Sequence, residues 1–175
     1  MYLSRRKNNA SLINISQVVT SDPVALKESL TELNSTTVEY GLVLTVKQIN
    51  RLTTAVQKAL KDSDRIEFGA GVMPILAAEF CASVFITPEN YANALEALIQ
   101  VFFQVKTAVC DRISDKNLIR ILKDYFENSC MGSIDVLRDR DIDILIKYIE
   151  MELDGGTSEE INEVFESDGY TDERS

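Results

Sequence analysis

The chain has 175 residues, 45% apolar and 26% charged, with no histidine and a formal charge of −10. That length and mixture describe one globular domain with a real core, not a disordered or fibrous chain. The missing imidazole excludes Ser-His-Asp and Cys-His nucleophilic sites and removes the commonest zinc ligand.

Residues 1–21 read as an N-terminal arm. Arg5, Arg6 and Lys7 form its basic start, and Leu12, Ile13, Ile15, Val18 and Val19 are apolar enough to dock on a core as an extended piece. Three cations do not make the basic stripe that phosphate neutralisation requires, so no nucleic-acid partner is expected. The charge-free run from Asn8 to Ser21 is rich in Asn and Ser. It is too polar for a secretory signal and falls short of the about 20 apolar residues of a membrane span.

Residues 22–154 read as a helical domain. Asp22 before Pro23 is an N-cap with proline at the first helical position, and Leu26, Leu30, Leu33, Thr37 and Tyr40 follow at helical steps up to Gly41. Thr45 and Gln48 form a capping-box pair, which opens a second helix with Ile49, Leu52, Val56, Ala59 and Leu60 inward. Gly69 and Gly71 mark a turn, and a short helix runs from about Pro74 to Ala82. Thr87 and Pro88 launch the longest helix, about 88–112, which is apolar nearly all round and therefore the buried centre. Ser114 caps a fifth helix carrying Leu118, Ile121, Leu122, Tyr125 and Phe126. Residues 141–153 alternate at first, but Ile142, Leu145, Ile146, Ile149 and Leu153 keep the helical period, so the segment reads as a helix. The fold class is all-α: a compact bundle of six or seven helices around the 88–112 helix.

Residues 155–175 read as an acidic, flexible tail. From Asp154 onward eight acids face one arginine, Arg174, and this stretch holds −7 of the chain's −10. Within it Ile161, Val164 and Phe165 form one amphipathic turn after Thr157, a segment suited to docking on a partner.

Three places invite chemistry. The stretch Glu67-Phe68-Gly69-Ala70-Gly71 offers two glycines before a helix N-terminus, where backbone N–H groups can receive a phosphate, with Arg65 and Glu67 beside it. The more ordinary reading is a tight turn whose glycines supply backbone angles. Asp139, Asp141, Asp143 and Glu150 fall at calcium-loop spacing, but Ile144 stands where the loop needs glycine. Acids at a helix N-terminus explain them better, so neither a metal nor a cofactor is expected. Cys81, Cys110 and Cys130 are an odd number without C-x-x-C spacing, hence free thiols of a reducing compartment. Cys81 and Cys110 read as buried packing residues, and Cys130, in a polar turn, as the most exposed.

The stretches R-I-E-F-G-A-G-V-M-P-I-L, E-F-C-A-S, I-T-P-E-N-Y and M-G-S-I-D-V-L, at 65–76, 79–83, 86–91 and 131–137, resemble a family of small helical proteins of Firmicutes known only as a domain of unknown function. The likeness spans roughly residues 38–152. It implies an all-helical fold in a bacterial cytoplasm and brings no catalytic residue. Two functions from different classes follow. The favoured one is a non-enzymatic cytoplasmic module that binds an unidentified protein partner. The alternative is a small-ligand- or phosphate-binding helical domain, with or without enzymatic activity, that uses Arg65, Glu67, Gly69 and Gly71. Oligomeric state is left open by the sequence.

Overall fold

The structure, a computed structural model, describes residues 21–155. Residues 1–20 of the arm and 156–175 of the tail, with Ile161, Val164 and Phe165, lie outside the described residues. Helix α1 covers Pro23–Thr37, with the Asp22 carboxylate accepting from the N–H groups of Val24 and Ala25. A 3-10 turn, Val38–Tyr40, tightens its end, and Gly41 reverses the chain at φ 74°. The Asn34 amide then exchanges two hydrogen bonds of 2.8 Å with the backbone of Leu44, pinning the connection to α1. Helix α2, Val46–Asp62, starts on the Thr45–Gln48 capping box in its full reciprocal form. Helix α3 is Met73–Phe80, α4 is Tyr91–Ala108 and α5 is Asp115–Asn128, the last capped by Ser114 Oγ. A π-helical turn, Val136–Arg140, leads into α6, Ile142–Leu153.

These elements make an all-helical bundle in which α4 packs against α2, α3, α5 and α6. Its core is one apolar cluster that includes Leu26, Leu30, Leu52, Met73, Phe80, Leu95, Phe102, Phe126 and Leu145, each nearly or fully closed to solvent. Such a cluster supplies most of the stability of helices this short, since burying one large apolar side chain contributes about 1.5–3 kcal/mol. Among the described residues no helix is long and apolar enough to cross a membrane.

The central helix is shorter than the 88–112 expected from the sequence. At its start Asn90 accepts from Thr87 N–H at 2.8 Å and donates to Phe85 C=O at 2.9 Å, so Thr87 to Asn90 is a closed turn rather than a helical one. At its end Cys110 and Asp111 both adopt left-handed backbone, φ 52° and 59°, which no α-helix continues.

The cysteine expectations for 110 and 130 are reversed. Cys110, set in the left-handed turn after α4, is exposed, whereas Cys81 and Cys130 are buried. The N–H groups of Ser129 and Cys130 both close on Tyr125 C=O. The thiol of Cys130 thereby comes to face the buried Asp141, and burial, reinforced by that carboxylate, pushes it up to about 12.

Candidate functional site

The turn from Arg65 to Val72 places its four candidate residues in different roles. Gly69 and Gly71 adopt positive φ, 61° and 69°, as a tight turn demands. Around Gly69 there is open space, and Phe68 beside it is 91% exposed. Gly71 is different, because a Cβ there would overlap the carboxylate of Glu67, which folds back across the turn. Oε1 of that carboxylate accepts from Val72 N–H at 3.1 Å, immediately before α3. The Glu67 carboxylate therefore stands where the glycine pattern would seat a phosphate. Its other oxygen is buried without a hydrogen-bond partner among the described residues. Burial, outweighing the Val72 hydrogen bond, pushes the Glu67 carboxyl up to about 7.

Arg65 points away from this turn toward the end of α4. Its guanidinium donates to both oxygens of Asp111, at 2.8 and 2.9 Å, and to Thr107 Oγ1 at 3.1 Å. That fork holds the Asp111 carboxyl below its ordinary range. The residue that completes this knot has no signal in the sequence: Lys106 is buried on an otherwise apolar helix face. Its ammonium donates to Ile113 C=O and pairs with Asp115 at 2.6 Å. Arg112 reaches Asp154 at 2.6 Å. The ends of α2, α4 and α6 and the start of α5 are thus joined by charge at one end of the bundle. Arg65 is spent on this joint and Glu67 on the turn, so the structure does not gather them around one free position.

A different feature lies between α5 and α6, both of which rest on α4. Two adjoining hollows of about 310 and 440 Å³ share Arg120 and Ile121 and form a groove. Ile121 and Leu153 are its partly open apolar residues, Tyr125 and Ile149 lie nearly buried at its floor, and Arg112, Arg120, Asp124, Tyr148 and Glu152 form its polar edge. Tyr148 donates to Glu152 at 2.7 Å. Arg120 is exposed and makes no ion pair among the described residues. The sequence signal for this groove is faint. Helical spacing sets Ile121 among the inward residues of the fifth helix, but it is only half-buried, while Ile119 is buried. The apolar stripe of α5 is therefore wide enough to serve a core on one side and a groove on the other. A third hollow, about 400 Å³ between α2 and α4, is lined by Lys58, Asp62, Gln100 and Gln104 together with Ala59 and Phe103.

Among the described residues no three acids or cysteines gather as metal ligands. Asp139 is engaged by Arg138 at 2.7 Å, and Asp141 by Arg140 at 2.9 Å. No curated protein and no solved structure gives a significant match to the chain. A family model described as "Family of unknown function (DUF6323)" matches residues 29–173, most of the sequence, and the chain belongs to that family.

Proposed function

We propose that this protein is a non-enzymatic interaction module of the cytoplasm, and that the groove between α5 and α6 receives an acidic amphipathic segment of a protein partner. The observation that carries the reading is the groove itself: the partly open Ile121 and Leu153, over a floor of the nearly buried Tyr125 and Ile149, beside the Arg120 cation, which has no acidic partner among the described residues. Helix-in-groove recognition needs that combination, with apolar anchors at i, i+3 and i+4 and charges that fix register. Three free cysteines agree with a reducing compartment. A displayed library of short helical peptides, selected on the full chain, tests the reading. Enriched sequences should carry apolar residues at helical spacing among acids, and their binding should fall in Arg120→Glu. Peptides without that pattern, or binding indifferent to Arg120→Glu, would count against it.

A second reading keeps a specific observation of its own. Glu67 is a desolvated carboxyl with a buried oxygen left without a partner among the described residues, in a turn built on two glycines. A small ligand that donates to that oxygen would bind the turn. A thermal-shift screen with small hydrogen-bond donors such as amines, amides and polyols should then give a hit that Gly69→Val abolishes.

A further inference from the structure

The turn from Arg65 to Val72 is fastened by one side chain. The Glu67 carboxylate lies across it, where a Cβ on Gly71 would stand, and its Oε1 accepts from Val72 N–H at 3.1 Å at the head of α3. The tip beyond is weakly held: a long hydrogen bond from Gly71 N–H to Phe68 C=O, 3.3 Å, closes it, Gly69 has open space around it, and the Phe68 ring stands in solvent. A segment with so few buried contacts opens locally at low cost. The seat of the carboxyl suits its acid form and not its charge. Oε2 is buried without a hydrogen-bond partner among the described residues, so an ionised Glu67 keeps one N–H in place of its water shell. Two charged groups act on it, Arg65 and Asp115, and neither makes up the loss. Arg65, on the same turn, gives its guanidinium to Asp111 and Thr107. Asp115, from α5, faces Glu67 with a like charge and is itself paired with Lys106 of α4 at 2.6 Å. The head of α3, Val72 to Ile75, carries no charged side chain.

We propose that Glu67 is a proton-operated latch: protonated, it ties the 65–72 turn to the head of α3, and ionised, it swings into solvent and lets the turn open. Burial pushes its carboxyl up to about 7, which sets the latch in the neutral range. The closed turn holds the proton, whereas the open turn, with an ordinary glutamate near 4.5, releases it, so opening becomes easier as pH rises. Between pH 5 and 8 the ratio of open to closed turn should increase more than about tenfold. The missing Cβ of Gly71 is what lets the carboxyl reach its closed seat. The latch works without a ligand and is independent of the small-ligand reading of the same turn.

Hydrogen exchange measured by NMR on the full chain, with no ligand added, tests the latch. At each pH the Val72 N–H rate is divided by that of the same amide in Glu67→Gln, whose side chain keeps the Val72 bond and cannot ionise, so that base catalysis cancels. This ratio should rise more than about tenfold from pH 5 to 8. In Glu67→Ala, which has no latch, Val72 N–H should exchange faster than in Glu67→Gln by the same factor at both pH values. Val72 N–H should also exchange much faster than Phe102 N–H, in the buried middle of α4, which marks the opening as local. The unaltered protein gives a reading that needs no variant: the amide shifts of Gly71 and Val72 should titrate together near pH 7. A Val72 ratio constant with pH, a Val72 rate no faster than that of Phe102, or an amide midpoint at the ordinary glutamate value would each overturn the proposal.

Discussion

Glu67 sets the clearest expectation for a single residue. Folded, it keeps its proton to about pH 7, whereas an ordinary glutamate releases it near 4.5. The folded state therefore binds more protons than the unfolded chain between those values. Its contribution to stability is fully present below about pH 4.5 and is lost as pH rises through 7. Glu67→Gln removes the titration, so its melting temperature relative to the unaltered protein should rise as pH goes from 4.5 to 8, by several degrees. A gap that stays flat would mean the carboxyl is not desolvated. The thiols give a second expectation. Cys110 is exposed, while Cys81 and Cys130 are buried with their thiols pushed above the ordinary value, mainly by burial. A thiol reagent at about pH 8 should label one cysteine rapidly in the native protein, and Cys110→Ser should abolish that phase.

Among the elements, the turn after α5 depends most on one atom. Gly132 has φ 76°, and its N–H bonds to Phe126 C=O at 2.8 Å. A Cβ on it would run into the ring of Phe85, which itself packs edge-on against Phe126 at 6.1 Å. Backbone strain and overpacking then add, each typically about 1–3 kcal/mol, so Gly132→Ala should lower the denaturation midpoint clearly. Gly69→Ala, with open space around it, should lose only the backbone part.

Several elements are legible in the sequence because their signals are local. Asp22 with Pro23, Thr45 with Gln48, and Ser114 each mark a helix start that the structure reproduces with the hydrogen bonds in place. The 141–153 segment is readable as a helix because burial of Ile142, Leu145 and Ile149 follows the 3.6-residue period, not the alternation. The ends of α4 are not legible. Its start depends on an Asn90 side chain that ties two backbone groups, and its stop on left-handed backbone at Cys110 and Asp111, of which only Asp belongs to the non-glycine types enriched there. For the site, glycine spacing reveals the 69–71 turn, but nothing local links Arg65 to Asp111, 46 positions away. The groove is invisible for the same reason. Helical spacing places Ile121 on an apolar stripe without saying whether a core or an open hollow meets it.

At the scale of the molecule, charge and apolar surface divide the work. The Arg65–Asp111, Lys106–Asp115 and Arg112–Asp154 pairs join four helix ends, and Arg120 stands apart on the groove. Truncating the buried Lys106 to Ala strands Ile113 C=O and should cost about 1–3 kcal/mol, read as a lower urea midpoint with an unchanged slope. Arg120→Glu should leave that midpoint within about 0.5 kcal/mol, as exposed substitutions usually do. The groove as the interaction surface is the central claim, and amide chemical-shift mapping of the full chain during titration with a synthetic acidic amphipathic helix tests it most directly. Shifts concentrated at Arg120, Ile121, Tyr125, Tyr148 and Ile149, absent in Arg120→Glu, are the expected result; shifts confined to residues 65–72, or none at millimolar peptide, would contradict it.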